Sequence, residues 1–152
     1  MASANIPKIG LGTWQLTGST CTKSVKTGLE LGYRFIDTAQ LYHNEKFVGR
    51  AIHESQVPRE DILLATKISF WNICTWRLRK SFEKSLKKLQ TDYVDILYVH
   101  WPALFYNPAK TLPILNELVE EGTVRKIGVS NFTIDHLEQA QSHSTHPIFA
   151  NQ

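Results

Sequence analysis

The chain has 152 residues, of which 42% are hydrophobic and 20% are charged, and its formal net charge is +3. This composition indicates a soluble globular domain with room for a core, and it excludes a disordered or low-complexity chain. The densest basic stretch, 77–88, alternates with apolar residues at helical spacing, which favours a solvated helix face over a nucleic-acid-binding stripe.

Several other classes of protein are disfavoured by motifs that the sequence lacks. Cys21 and Cys74 are too few for a disulfide framework and form no CxxC motif, so we expect reduced thiols. No apolar run reaches the ~18 residues of a membrane span, and the N-terminus has no signal-peptide core. His136, His143 and His146 lie close together, but their spacing fits no standard zinc pattern, so no metal site is expected. We expect a cytoplasmic protein without nucleic-acid or membrane partners.

Short runs rich in Ile, Val, Leu and Tyr alternate with segments of helical periodicity along the chain. We predict strands at 8–13, 34–37, 62–67, 94–100, 124–129 and 148–151. The helices between them are predicted to turn the following residues inward: Val25 and Leu29; Val48, Ala51 and Ile52; Leu78, Phe82, Ser85, Leu86 and Leu89; Leu112, Leu115, Leu118 and Val119; Ile134, Leu137 and Ala140.

Capping residues predict where several of these helices begin and end. Asn44 is predicted to cap the second helix, and Thr133 is predicted to open the fifth. Gly32 and Gly122 stand where the first and fourth helices should end, because glycine adopts the left-handed conformation that often follows a helix.

The strict alternation of strands and helices predicts a parallel sheet with helices packed outside it. A doubly wound sheet and a (β/α)₈ barrel both satisfy the pattern. The segment 10–12 is the nearest candidate for a phosphate-binding fingerprint, but it lacks the third glycine and no helix follows directly, which favours the barrel. We therefore predict an α/β fold of the TIM (β/α)₈-barrel type, incomplete, with about five βα units plus the sixth strand. Residues 1–152 form a single, partial domain in this prediction.

Polar residues stand at or just after the ends of predicted strands two to six. They are Asp37, Lys67, His100, Ser130, Asn131 and Gln152. In a barrel these positions share one rim, the carboxyl-terminal face on which active sites are built. Each residue alone has a structural explanation, such as a turn or a core histidine. Three ionisable groups at successive strand ends, with Tyr42 on an adjoining loop, favour a functional site.

Four of these residues are suited to proton transfer. Tyrosine is a poor proton donor at neutral pH because its pKa is ~10. An ammonium group at Lys67 would lower the pKa of Tyr42, and Asp37 would orient Lys67 through an ion pair. His100 is placed to donate a hydrogen bond to a substrate oxygen. A carbonyl that receives a hydride on carbon and a proton on oxygen needs such a set, and a cofactor must supply the hydride.

Six segments resemble the aldo-keto reductases, and they occur in that family's order along the whole chain. They are GLGTW (10–14), GYRFIDTAQLYHNE (32–45), LLATK (63–67), DYVDILYVHWP (92–102), IGVSNF (127–132) and ANQ (150–152). The resemblance implies a TIM barrel that reduces aldehydes or ketones to alcohols with NADPH, less often NADH. It also implies that Tyr42 is the proton donor and that Asp37, Lys67 and His100 complete a catalytic tetrad.

The resemblance further implies two groups of binding residues. The group expected to contact the nicotinamide cofactor comprises Asp37, Ser130, Asn131 and Gln152. The group expected to line the pocket for a small carbonyl substrate comprises Trp14, Trp71, Trp101 and His100.

The length of the chain suggests a second hypothesis for its function. A (β/α)₈ barrel takes about 250 residues, whereas five βα units and a sixth strand fit here. The first and sixth strands are then expected to lack a neighbour on one side, which favours self-association or a complementing chain. Two functions stay open: an NADPH-dependent carbonyl reductase, and a truncated, non-catalytic remnant that serves as a regulatory or interaction module.

Overall fold

The computed structural model describes residues 6–73, 75–103 and 105–152, so Cys74 lies outside the described residues. Six parallel strands form one sheet in chain order. They are β1 (Leu11–Gly12), β2 (Phe35–Asp37), β3 (Leu63–Ile68), β4 (Val94–Val99), β5 (Val124–Val129) and β6 (Ile148–Asn151). The connecting helices are α1 (Gly18–Glu30), α2 (Glu45–His53), α3 (Thr75–Leu89), α4 (Pro108–Glu120) and α5 (Ile134–Ser142). The strand order never reverses, which confirms the barrel-type prediction over the doubly wound alternative.

Strand β1 is shorter than the sequence predicts, because only two of the residues 8–13 pair with β2. Ile9 is exposed, and a Cβ at Gly10 would come within 2.8 Å of the Phe35 ring. Glycine at position 10 therefore leaves room for the Phe35 ring, and it does not extend the pairing of β1 with β2.

The main core lies between the sheet and the helices, as the helical periodicity predicts. Residues predicted to face inward are buried there in all five helices, with Leu86, Val119 and Leu137 partly buried. Ile134 is the exception: it is 76% exposed, so its predicted inward orientation is wrong. It is the first residue of α5, directly after the capping residue, where the chain has not yet turned its apolar face toward the sheet.

A second, smaller core lies on the inner face of the sheet and contains Ala65, Ile96 and Tyr98. A Cβ at Gly128 would come within 2.4 Å of the Tyr98 ring. Glycine at this position on β5 therefore leaves room for the aromatic ring of the neighbouring strand β4.

The predicted caps are confirmed in part. The Thr133 side chain accepts a hydrogen bond from the backbone N–H of His136, as expected for an N-cap. Gly32 and Gly122 have positive φ angles of 97° and 77°. Asn44 occupies the predicted N-cap position of α2, and its backbone carbonyl accepts from the N–H of Val48, but its side chain makes no capping hydrogen bond. The Asn44 amide is instead hydrogen-bonded to the β1–α1 loop and to Thr38, as described below.

Charged side chains join strands β3, β4 and β5 near their amino ends. Asp95 accepts hydrogen bonds from Arg59 and from the backbone N–H of Leu64, both at 3.0 Å, and its other oxygen lies 3.3 Å from Arg125. The two guanidinium groups lie over the Tyr93 ring, at 4.2 and 4.0 Å from its centroid. This network, Arg59–Tyr93–Asp95–Arg125, fixes the three strands at the end of the sheet opposite the predicted site.

Gly49 marks the closest approach of α2 to the end of α3. A Cβ there would come within 2.5 Å of the backbone of Lys88 and Leu89. Because backbone cannot move aside like a flexible side chain, we expect Gly49→Ala to lower the free energy of unfolding by about 3 kcal/mol. Urea denaturation measures the change. Gly12→Ala is the matched control, since a Cβ at Gly12 meets no atom within 4 Å; equal losses in both variants would contradict the assignment.

In the described part of the chain, β1 and β6 are the outer strands and pair on one side only. The pairing of β5 with β6 contains a register shift between Ile127 and Gly128.

Within the described residues, the helices are too short or too polar to cross a membrane. The Cys21 thiol is free and buried, and burial raises its pKa to about 11. No group of three or more His, Cys, Asp or Glu among the described residues is arranged to hold a metal ion.

Candidate active site

Three of the four predicted proton-transfer residues meet around the Lys67 ammonium group. Lys67 Nζ donates to Asp37 Oδ2 at 2.6 Å, to the Thr38 carbonyl at 3.0 Å and to Tyr42 Oη at 3.4 Å. Asp37 ends β2 and Lys67 lies on the adjacent strand β3, while Tyr42 ends the 3₁₀ turn Gln40–Tyr42 above them. Lys67 is only 1% exposed, so the ammonium group is held almost entirely by these three oxygen atoms.

The expected lowering of the Tyr42 pKa is wrong. Burial and the negative charge of Asp37 both raise the pKa of Tyr42 above its ordinary value of 10. Burial lowers the pKa of Lys67, and Asp37 opposes that shift. The physical reason is first the burial of the phenol, which disfavours its charged form, and then the nearby Asp37 carboxylate, which repels a phenolate. Tyr42 is therefore protonated at neutral pH.

His100, the fourth predicted residue, follows β4, and its ring lies edge-on to Tyr42 with 5.8 Å between centroids. Its Nδ1 atom is buried and has no hydrogen-bond partner among the described residues. A buried N–H without an acceptor is rarer than a buried lone pair without a donor, which favours the tautomer that carries its proton on Nε2. Burial, together with the charge of Lys67, lowers the pKa of His100 to about 4.

We expect this buried, neutral histidine to make the fold acid-sensitive. An unfolded histidine takes up a proton below its ordinary pKa of 6.5, whereas His100 in the folded chain resists protonation down to about 4. The free energy of unfolding should therefore fall as the pH drops from 6.5 to 4, by no more than about 3 kcal/mol. Urea titrations across this range test the slope. His100→Gln should flatten it, and an unchanged slope would contradict the assignment to His100.

The predicted cofactor residues Ser130, Asn131 and Gln152 are brought together at the ends of β5 and β6. Asn131 Nδ2 donates to Ser130 Oγ at 3.0 Å and to the His100 carbonyl at 2.9 Å. The backbone N–H of Asn131 donates to the Gln152 carbonyl, and that of Gln152 donates to the Val129 carbonyl, both at 2.9 Å. This cluster combines a hydroxyl with two carboxamides and is hydrogen-bonded to the backbone of His100. Donors and acceptors of this kind suit an amide-bearing ligand.

The three indoles predicted to line a substrate pocket stand on three separate loops at the same end of the sheet. Trp14, Trp71 and Trp101 are 67%, 53% and 44% exposed. Trp101 stacks on His100 with 6.4 Å between ring centroids, and Trp71 packs against Phe70 at 4.8 Å. Trp101 is thus in direct ring contact with one of the proton-transfer residues, His100. The positions of Trp14 and Trp71 depend instead on how their loops are held.

Sequence reasoning missed two buried amide side chains that flank Tyr42. Gln40 makes four side-chain hydrogen bonds to the β3–α3 loop and α3, and Asn44 makes three to the β1–α1 loop and Thr38. The available signal was their position, since both lie within the segment that carries Asp37 and Tyr42. The sequence predicts a helix cap at Asn44 and does not show its partners on the β1–α1 loop, because they lie 28 to 31 residues away.

Comparison with known proteins connects this geometry to a family. The family model described as "Aldo/keto reductase family" matches residues 8–152. The methylglyoxal reductase DkgB of Escherichia coli O157:H7 is 48% identical over 137 residues, which cover 89% of this chain and 51% of the relative. The glycerol 2-dehydrogenase (NADP(+)) of Saccharomyces cerevisiae is 38% identical, and the match again covers 89% of this chain and 51% of the relative. The chain spans about half the length of the curated relatives it matches.

A solved structure gives the same result for the fold. The crystal structure of MGS-M4, an aldo-keto reductase from a Medee basin deep-sea metagenome library, superposes with a TM-score of 0.92 at 41% identity. The match covers 97% of this chain and 54% of that protein. The parallel six-stranded sheet with its five helices is therefore part of a TIM barrel of this kind, and the chain belongs to the aldo/keto reductase family.

Proposed function

We propose that this chain carries the proton-transfer half of an NADPH-dependent reductase that converts aldehyde or ketone carbonyls to alcohols. The observation that carries the proposal is the arrangement around Lys67 Nζ, which lies 2.6 Å from Asp37 and 3.4 Å from Tyr42. A phenol beside a buried ammonium–carboxylate pair, at the carboxyl end of a parallel sheet, is suited to donating a proton to a substrate oxygen.

In this proposal Tyr42 is the general acid. Its raised pKa keeps the phenol protonated at pH 7, which is the state a donor must have before the reaction. An alkoxide developing on the substrate is a far stronger base than a phenolate, so the proton moves toward the substrate oxygen. The Lys67 ammonium group then stabilises the phenolate left at Tyr42, while Asp37 and the Thr38 carbonyl keep that ammonium in place.

His100 orients the carbonyl in this proposal. With a pKa of about 4, the ring is neutral at pH 7 and donates one hydrogen bond without competing for the proton that Tyr42 supplies. Its ring is in edge-on contact with that of Tyr42, with 5.8 Å between centroids, so in this proposal both side chains face the same substrate oxygen.

The cofactor in this proposal is NADPH, with NADH as the less frequent alternative in the family. When bound, NADPH supplies the hydride that the carbonyl carbon receives. Ser130, Asn131 and Gln152 would hold the nicotinamide carboxamide, and Asp37, at the end of β2, would also contact the cofactor. The relative named glycerol 2-dehydrogenase carries NADP(+) in its name, which supports the choice of cofactor.

The proposed substrates are small carbonyl compounds, and the proposed location is the cytoplasm. Relatives named methylglyoxal reductase support the substrate class. Trp14, Trp71 and Trp101 would line the substrate pocket with His100. Their exposed faces offer apolar surface beside a polar reacting centre, as small-molecule pockets commonly do.

A second candidate function is a non-catalytic regulatory or interaction module on the same scaffold. It is favoured by the outer strands β1 and β6, which pair on one side only within the described residues. Ile148 and Phe149 of β6 are only partly buried, so the strand offers both backbone groups and apolar side chains to a partner. Self-association or a complementing chain would cover them.

Cofactor binding by the purified chain separates the two candidates. We expect NADPH fluorescence to change on titration with the chain, and a generic aldehyde to be reduced in the same mixture. Absence of binding up to high micromolar concentrations would contradict independent catalytic activity. Sedimentation at the same concentrations shows whether the chain is monomeric, and a dimer without cofactor binding would favour the interaction module.

A further inference from the structure

The segment that carries Tyr42 is held on both sides by buried carboxamides. Gln40 lies two residues before Tyr42 and Asn44 lies two residues after it. Gln40 is 8% exposed and Asn44 is fully buried. Because a buried amide is costly unless it is hydrogen-bonded, the partners of these two side chains show what the segment is fixed to.

The Gln40 carbonyl oxygen is bound to the loop between β3 and α3. Oε1 accepts from the backbone N–H of Ser69 at 3.0 Å and from Asn72 Nδ2 at 2.9 Å. Trp71 lies between these two donors, and its own backbone N–H donates to Ser69 Oγ at 3.3 Å. Gln40 therefore holds both ends of the short loop that presents the Trp71 indole.

The Gln40 amide nitrogen is bound to helix α3. Nε2 donates to Ser85 Oγ at 3.1 Å and to Ser81 Oγ at 3.3 Å. With two donated and two accepted hydrogen bonds, the side chain uses its whole capacity. Such a side chain has one low-energy orientation, so it fixes the Tyr42 turn, the Trp71 loop and α3 relative to one another.

Asn44 has the corresponding position relative to the loop between β1 and α1. Its Nδ2 donates to the Thr13 carbonyl at 2.7 Å and to the Leu16 carbonyl at 3.0 Å, and its Oδ1 accepts from Thr38 Oγ1 at 2.7 Å. Trp14 lies between the two carbonyl partners. Asn44 thus holds the loop that presents the Trp14 indole, as Gln40 holds the loop of Trp71.

We propose that Gln40 and Asn44 are positioning residues that set the distance from Tyr42 to the Trp71 and Trp14 indoles, respectively. The inference rests on the proposed reductase function. A carbonyl oxygen in contact with Tyr42 Oη fixes one end of a substrate, so the location of the two indoles decides how large the remainder can be. Gln40 and Asn44 therefore determine which substrate sizes reach the proton donor in a productive orientation.

Fluorine NMR tests the positioning independently of catalysis. The chain has four tryptophans, so labelling with 5-fluorotryptophan gives four resonances that Trp→Phe variants assign. Gln40→Met keeps the length of the side chain and removes its four hydrogen bonds; it should shift the Trp71 resonance and leave that of Trp14 unchanged. Thr38→Val removes the hydrogen bond that orients Asn44, and it should shift Trp14 alone.

Each of these variants is the matched control for the other. If both variants moved both resonances, the two amides would support the fold in general and the proposal would be overturned. Unchanged resonances in both would overturn it as well. If Gln40→Met does not fold, Ser85→Ala removes one anchor of Gln40 on α3 and should give a smaller shift of Trp71 alone.

Kinetics test the consequence for substrates. In Gln40→Met, kcat/KM for a bulky aromatic aldehyde should fall about tenfold more than for a small aliphatic aldehyde, because only the larger substrate depends on the indole. Equal losses for both aldehydes would overturn the size dependence. If the unsubstituted chain reduces neither aldehyde, the proposed function fails while the NMR result still decides whether Gln40 and Asn44 position the indoles.

Discussion

Tyr42→Phe is expected to lower kcat for aldehyde reduction by about 10²- to 10⁴-fold, which is the usual contribution of a general acid. The substitution removes only the hydroxyl that lies 3.4 Å from Lys67 Nζ and keeps the ring packed edge-on against His100. The loss should therefore come from proton transfer rather than from a change of structure. Stopped-flow measurement of NADPH oxidation under saturating substrate is the direct readout.

Cofactor binding is the control for this substitution. The Tyr42 hydroxyl has Lys67 as its neighbour, whereas Ser130, Asn131 and Gln152 form a separate cluster at the ends of β5 and β6. We therefore expect the Kd for NADPH to change less than threefold, about 0.7 kcal/mol or less. A large loss of NADPH affinity with little change in kcat would remove Tyr42 from its proposed role.

The second large effect is expected on stability, from Asp37→Asn. Lys67 is almost fully buried, and Asp37 provides the only negative charge within ion-pair distance of it among the described residues. Removing one partner of a buried pair leaves an uncompensated charge, which costs about 3 kcal/mol. Without the carboxylate, the charge and the hydrogen bond of Asp37 no longer oppose the effect of burial on Lys67, so the pKa of this lysine should fall further.

The pH dependence identifies the cause of that loss. A lysine whose folded pKa lies below its unfolded value of 10.5 destabilises the fold at low pH, and the loss diminishes as the pH rises through the folded pKa. The free energy of unfolding of Asp37→Asn should therefore rise toward alkaline pH. The double variant Asp37→Asn/Lys67→Met removes both charges and should recover at least half of the stability. A double variant as unstable as Asp37→Asn would show that the buried ammonium is not responsible.

The arrangement of the sheet and the meeting of Asp37 with Lys67 could be predicted because both follow from alternation. Successive parallel strands end at the same edge, so polar residues at successive strand ends must be neighbours. The pKa of Tyr42 could not be predicted in the same way. Its direction depends on how deeply the phenol is buried and on how near the Asp37 charge lies to it, and neither quantity is encoded in the spacing of residues.

The partners of Gln40 and Asn44 were hidden for a related reason. Local sequence suggests the commonest use of a residue type, and asparagine before a helix most often caps it. Two of the three partners of Asn44 lie on an earlier loop, and those of Gln40 lie 29 to 45 residues further along the chain. Only the three-dimensional arrangement brings such groups together, so long-range hydrogen bonds around a site escape residue-by-residue interpretation.

The Arg59–Tyr93–Asp95–Arg125 network has a consequence for how this scaffold can change. It joins β3, β4 and β5 at their amino ends, away from the loops that carry Trp71 and Trp101. Random libraries confined to those loops should therefore retain soluble expression at a higher frequency than libraries of equal size at the amino-end network. Residues that can vary to change specificity and residues that maintain the fold would thus lie at opposite ends of the same three strands.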